Sequence, residues 1–81
     1  PIESREQFND LMKAAFVYGK LDPKLLSDDL GYSASTVYRW IDGHSAPHPS
    51  LWPRISGWVK LAIERKIVTF ETQNERIAED A

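Results

Sequence analysis

The sequence predicts an all-α fold of four to five short helices. Three observations carry that expectation. Apolar residues recur at intervals of three and four, as in Phe8, Leu11, Met12, Ala15 and Phe16, which is the spacing of one helical face and not the alternation of a strand. Helix-starting residues stand ahead of these stripes, and glycines stand behind them. The 81 residues contain no repeat, low-complexity run or long linker, so residues 1–81 are expected to form a single domain around one core. Three tryptophans, three tyrosines and three phenylalanines are available to fill it.

Each element has its own punctuation. Ser4 is the expected cap of the first helix, Gln7 completes a capping box, and Gly19 ends the helix. Asp22 and Pro23 open the second: the aspartate accepts from the first-turn N–H groups, and the proline has no N–H to leave unpaired. Leu21 and Leu26 are spaced as a hydrophobic staple, Leu26 and Leu30 share a face, and Gly31 supplies the left-handed residue that stops the helix. Ser33 starts a third helix, stapled by Tyr32 and Val37; Val37, Trp40 and Ile41 form its apolar stripe and Gly43 ends it.

Pro47 and Pro49 mark "HSAPHPS" as a stiff loop. Ser50 is the expected cap of the fourth and longest helix, over residues 50–66, with His48 as the alternative. Leu51, Trp52, Ile55, Trp58, Val59, Ala62 and Ile63 give this helix a wide apolar face. Gly57 inside it costs about 1 kcal/mol against alanine, and either admits another helix or is simply tolerated. Trp40 and Trp58 are expected in a core or subunit contact, while the place of Trp52 beside the loop leaves it open. "KIVTF" reads as a strand or, in preference, as the approach to a short fifth helix from Phe70 to about Glu79 with Thr69 as its cap. Ile67, Phe70, Asn74, Ile77 and Ala81 keep helical spacing there. Residues 67–81 are accordingly expected to serve as a dimerisation segment, with folding back onto their own domain as the alternative.

Composition bounds the chemistry. With no cysteine, disulfides, thiolate metal sites and cysteine nucleophiles are excluded, which fits a reducing, cytoplasmic compartment. No apolar run suits a membrane span, and the opening residues do not read as a signal peptide. No glycine-rich phosphate loop or Ser/His/Asp cluster is present, so neither enzymatic activity nor a cofactor or small-molecule ligand is expected. His44 and His48 flank Pro47 without an evident third ligand, and no metal site is expected. The formal net charge is −2, although residues 20–60 carry five basic against four acidic side chains. That balance argues against strong non-specific attraction to a polyanion and asks for a few well-aimed contacts.

Two short helices joined by a tight turn that begins with glycine make a helix-turn-helix of residues 23–43. Leu26, Leu30, Val37 and Trp40 must be apolar there, because crossed helices hide little surface unless the facing positions pack. The outer face of the second helix of the pair, residues 33–42, is then free. "PKLLSDDLGYSASTVYRWIDG" resembles the helix-turn-helix of the lambda-repressor/Cro-like family in its turn glycine, in the apolar residue six positions later and in the Asp42–Gly43 pair. The resemblance implies a sequence-specific DNA-binding regulator of phage, mobile-element or bacterial type. Repression is the expected sign of its action. It would bind a two-fold operator in double-stranded DNA as a homodimer, with its recognition helices about 34 Å apart.

Ala34, Ser35, Tyr38, Arg39 and Asp42 match family positions at the groove or its rim. Arg39 suits the O6 and N7 of guanine, and Tyr38 a thymine methyl or a phosphate. Ser33 reads first as a cap, while Thr36, His44, Ser45 and His48 are candidate phosphate contacts. The family often has glutamine where this chain has Pro23, so Lys24 is the expected substitute on phosphate; Ser27 replaces the family's alanine at the helix crossing. "STVYRWIDG" also resembles excisionase- and MerR-type motifs, which bend DNA, although a helix ahead of the motif and a long one after it depart from them. A protein-interaction module, such as an antitoxin or adaptor, is the alternative from another class, and the acidic balance favours it.

Overall fold

The computed structural model describes the backbone of residues 2–80 and the side chains of residues 2–69. Four α-helices are present: α1 (Arg5–Lys13), α2 (Pro23–Leu30), α3 (Ala34–Ile41) and α4 (Trp52–Asp80), with no strand among the described residues. A π-helical turn, Ala14–Tyr18, prolongs α1, and a 3-10 turn, Pro49–Leu51, leads into α4.

The expected caps of the first three helices form. Ser4 accepts from the N–H of Gln7, while the Gln7 side chain reaches back to the Glu3 N–H, one residue outside the usual capping-box partner. Asp22 accepts from Lys24, and Ser33 accepts from Thr36. Gly31 and Gly43 take φ of 81° and 80°, which a side chain would strain. Gly19 ends α1 differently. Its φ is −79°, but a Cβ there would stand 2.7 Å from the Ala15 carbonyl oxygen, so the π turn closes over glycine because nothing larger fits. Lys20 supplies the left-handed residue instead, at φ 57°. The Lys66 ammonium on α4 donates to the carbonyls of Gly19 (2.8 Å) and Lys20 (3.1 Å), which offsets part of the strain of a non-glycine residue there.

Two expectations at the ends of α4 are corrected. His48, not Ser50, caps the turn that starts it: the His48 Nδ1 accepts from the Ser50 N–H and also hydrogen-bonds the Ser50 hydroxyl. Thr69 does not cap a separate fifth helix. Its hydroxyl donates to the Arg65 carbonyl within one continuous α4, and the stretch from Ile67 to Phe70 contains no glycine or proline to stop the helix. The fourth helix is therefore not short, and it does not end near residue 66. The expected apolar stripe at Phe70, Asn74, Ile77 and Ala81 lies outside the residues whose side chains are described.

The core gathers one face from every helix. Phe8, Met12, Leu26, Val37, Ile55 and Val59 are almost wholly buried. Phe8 is at its centre, edge-on to Trp40 (5.8 Å) and stacked on Trp52 (5.9 Å). Tyr32 meets the other edge of Trp40 at 4.9 Å, and Phe16 stacks with Trp58 at 6.3 Å. The polar ends of both α4 tryptophans are satisfied, Trp52 by the Pro47 carbonyl and Trp58 by the Asp29 carboxylate. Such aromatic pairs add about 0.5–1.5 kcal/mol each beyond their buried area, which matters for a domain this small.

Candidate nucleic-acid interface

α3 is held by one face and offers the other. Val37, Trp40 and Ile41 are buried, while Ser35, Tyr38, Arg39 and Asp42 are exposed. At about 100° per residue the four exposed positions span an arc of roughly 100°, with Ser35 and Asp42 near its middle, Tyr38 at one edge and Arg39 at the other. Ala34 and Thr36 flank the arc and are half-buried. Tyr38 keeps 46% of its surface in solvent although its neighbours Val37 and Trp40 are core.

α2 braces this arrangement. Leu26 is buried beneath the crossing, and Ser27 is buried beside it with its hydroxyl donating to the Lys24 carbonyl. A serine is thus accommodated where a polar atom would otherwise be orphaned. The turn closes when Gly31 and Tyr32 both donate to the Ser27 carbonyl, at 2.9 and 3.0 Å.

The N-terminus of α3 carries a knot of hydroxyls. Ser33 Oγ accepts from the Thr36 N–H at 3.2 Å, and it shares hydrogen bonds with Thr36 Oγ1 (2.7 Å) and Ser35 Oγ (3.2 Å). Ser33 is therefore engaged as the cap. The first turn of a helix leaves its leading N–H groups without intrahelical acceptors, so the amides of Ala34 and Ser35 face outward at the positive end of the helix dipole, where an anion is favoured.

The C-terminal end is fixed by residues that sequence reasoning missed. Asn9 of α1 donates through its amide nitrogen to the carbonyls of Trp40 (2.9 Å) and Ser45 (3.0 Å). Arg5, one turn earlier, donates to the His44 carbonyl at 2.9 Å. Its guanidinium thus sits at the negative end of α3, where a cation is favoured. The signal was present in the sequence: Arg5 and Asn9 are four apart and flank the buried Phe8, a polar edge on the apolar stripe of α1. What the sequence could not tell was which carbonyls that edge would meet.

The sequence-predicted site residues therefore divide. Ser33, Ser35 and Thr36 are joined by hydrogen bonds, and Ala34, Tyr38, Arg39 and Asp42 share their helix. His44 is exposed at the end of α3, and the half-buried Ser45 gives its carbonyl to Asn9. Lys24 is exposed in the first turn of α2. His48 spends its Nδ1 on the cap of the following turn, a local duty that sets its ring by the loop. Among the described residues no three histidine or acidic side chains converge as a metal-binding set, and no helix is long and apolar enough to cross a membrane. No family model, curated protein or solved structure matches the chain.

Proposed function

We propose that the chain is a sequence-specific DNA-binding regulator, with α2 and α3 acting as a helix-turn-helix and α3 lying in the major groove of a two-fold site bound by a homodimer. The observation that carries this reading is α3 itself. It is pinned at its buried face by Val37, Trp40 and Ile41 and at its C-terminal end by Asn9 and Arg5, yet it bears a free arc of Ser35, Tyr38, Arg39 and Asp42. A helix held this firmly, with Tyr38, Arg39 and Asp42 exposed on it, is preorganised for contacts that depend on placement, as base-edge readout does. Arg39 is the residue assigned to a base, most readily guanine, and the N-terminal amides of α3 and Lys24 are assigned to phosphate.

Selection of bound duplexes from a random pool tests this. Enrichment of a palindromic sequence is expected, and Arg39→Ala should cost about 1–3 kcal/mol on that sequence and relax one position in each half-site. If Arg39→Ala binds the selected site as tightly as the parent chain, the assignment is wrong. A second reading, a protein-interaction module, is favoured by one feature: a groove of about 510 Å³ whose apolar part is Leu21, Leu25, Trp58, Leu61 and Ala62. A pool that yields no enriched sequence would favour that reading.

A further inference from the structure

α4 outruns the domain it completes. Ile55 and Val59 are buried in the core, and Lys66 still reaches back to the end of helix 1. Beyond it Ile67 and Val68 leave 51% and 60% of their surface exposed, and the helix continues to Asp80, about 20 Å further at 1.5 Å per residue. A helical extension of this length gains little by itself, because most helical stability in proteins comes from packing an apolar face.

That face has a regular sequence. Ile63, Ile67, Phe70, Asn74 and Ile77 follow one another at steps of four, three, four and three. On a continuous helix these are alternating d and a positions of a heptad repeat, the track of a two-stranded coiled-coil seam. From Ile67 onward it is a different track from the one the core uses; Ile63, where it begins, is half-buried against the core. Ile55, Val59, Ala62 and Lys66 turn toward the chain's own domain, and the seam runs one residue later, about 100° around the helix. Followed upward, the seam track passes Lys60 and Ser56. Both line an open groove of about 730 Å³ together with Ile63, so the free face is continuous with it.

We propose that α4 pairs in parallel with α4 of a second copy of this chain, through positions 63, 67, 70, 74 and 77. This specifies the dimer on which the proposed function rests, but it does not depend on DNA. Three features choose this occupant and this direction. A lone asparagine at an a position, here residue 74, is a device that fixes register and two-strandedness at a cost in stability. In a parallel pair each g position faces the following e position of the other helix, which sets Lys66 against the glutamate at 71. An antiparallel pair brings e positions together, and residues 64 and 71 are both glutamates. Lys66 has used two of its three N–H donors on Gly19 and Lys20, leaving one for a carboxylate. A parallel pair also keeps both α2–α3 units at the same end of the rod, as a two-fold ligand requires.

Sedimentation equilibrium of the full chain without DNA reads the pairing. A reversible dimer is expected, weakened about 100-fold by Ile67→Asp, which buries a carboxylate twice in one seam. The side chain is half exposed in the single chain, so the domain core should stay intact and near-UV circular dichroism of the buried tryptophans should match the parent, while far-UV helicity falls with the loss of pairing. A chain that is monomeric at all concentrations, or a dimer that Ile67→Asp leaves intact, overturns the proposal. Because the chain has no cysteine, Ile77→Cys gives a clean test of direction. Air oxidation of the dimer should produce a disulfide-linked pair in a parallel seam, and failure to link overturns the parallel arrangement. Asn74→Leu should yield species larger than a dimer, and a strictly dimeric variant would remove residue 74 from the seam. None of these readouts involves DNA, so a chain that dimerises as described but enriches no sequence would sink the DNA reading and leave this one standing.

Discussion

Asn9 should be the most consequential polar side chain in the domain. Its amide nitrogen is half-buried between α1 and the end of α3, and it donates to Trp40 O at 2.9 Å and Ser45 O at 3.0 Å. Each such bond contributes about 1 kcal/mol net, and removing the donor leaves two carbonyls short of a partner, so Asn9→Ala should destabilise by about 2 kcal/mol. In a chain of this length that corresponds to a fall in Tm of roughly 8–16 °C. Asn9→Asp is the sharper test, because both partners are acceptors and a carboxylate can only repel them. It should cost more than Asn9→Ala at neutral pH. Facing two carbonyls, the introduced carboxylate would hold its proton more tightly folded than unfolded. The variant should therefore be most stable below about pH 3.9, relative to the parent, and lose that stability as pH rises through the elevated folded value. Urea denaturation of the three proteins between pH 3 and 7 measures both effects. If Asn9→Ala lies within about 0.3 kcal/mol of the parent, or Asn9→Asp is pH-independent relative to it, Asn9 does not anchor α3 and the preorganisation argument fails.

Two further outcomes follow from the same geometry. Lys24→Ala should weaken binding to all duplexes alike and reduce the slope of log K against log salt by about 0.9 for each phosphate that Lys24 neutralises, while sparing sequence preference; a selective loss on one sequence would make Lys24 a base reader. Gly57→Ala should stabilise the chain by about 0.5–1 kcal/mol in thermal melts at concentrations where it is monomeric, because a Cβ there meets nothing within 4 Å and a helix-interior glycine is entropically costly; an unchanged or lower Tm would show a constraint at this position that the fold does not explain.

What the sequence made legible was local and what it hid was relational. Asp22–Pro23, Gly31 and Ser33 announce their helix ends because capping depends on neighbours within four residues, and each does what its chemistry suggests. Trp40 and Val37 were legible as core because three- and four-residue spacing marks a buried face directly. The end of α4 was not. Thr69 is both a fair cap and a tolerable interior residue, and nothing local decides between them; here its hydroxyl bonds back to Arg65 and the helix runs on. Between Ser50 and the alternative His48 the sequence favours serine, but in the structure the His48 imidazole accepts from the Ser50 N–H. Arg5 and Asn9 show in the sequence as a polar edge, but the carbonyls they anchor do not, because those lie more than thirty residues away, at Trp40, His44 and Ser45.

The chemistry of the α3 arc also explains how an acidic chain could read DNA at all. A protein that relies on backbone attraction needs many cations, and this one has a net charge of −2. Its exposed arc instead mixes a forked donor at Arg39, a carboxylate acceptor at Asp42, a hydroxyl at Ser35 that is both, and an aromatic edge at Tyr38. Phosphate offers acceptors alone, so a carboxylate in the arc would be a liability against the backbone. Base edges in the major groove present donors as well, the cytosine and adenine amino groups, which on the proposed reading would suit Asp42. The composition of the arc thus favours discrimination over affinity. On the proposed reading, affinity would come from repetition, with two copies of a modest binding face held at a fixed separation by the proposed pairing of α4. The same economy accounts for the bracing of α3 at its buried face and its C-terminal end, since a few side chains can discriminate only if none is spent on finding its place.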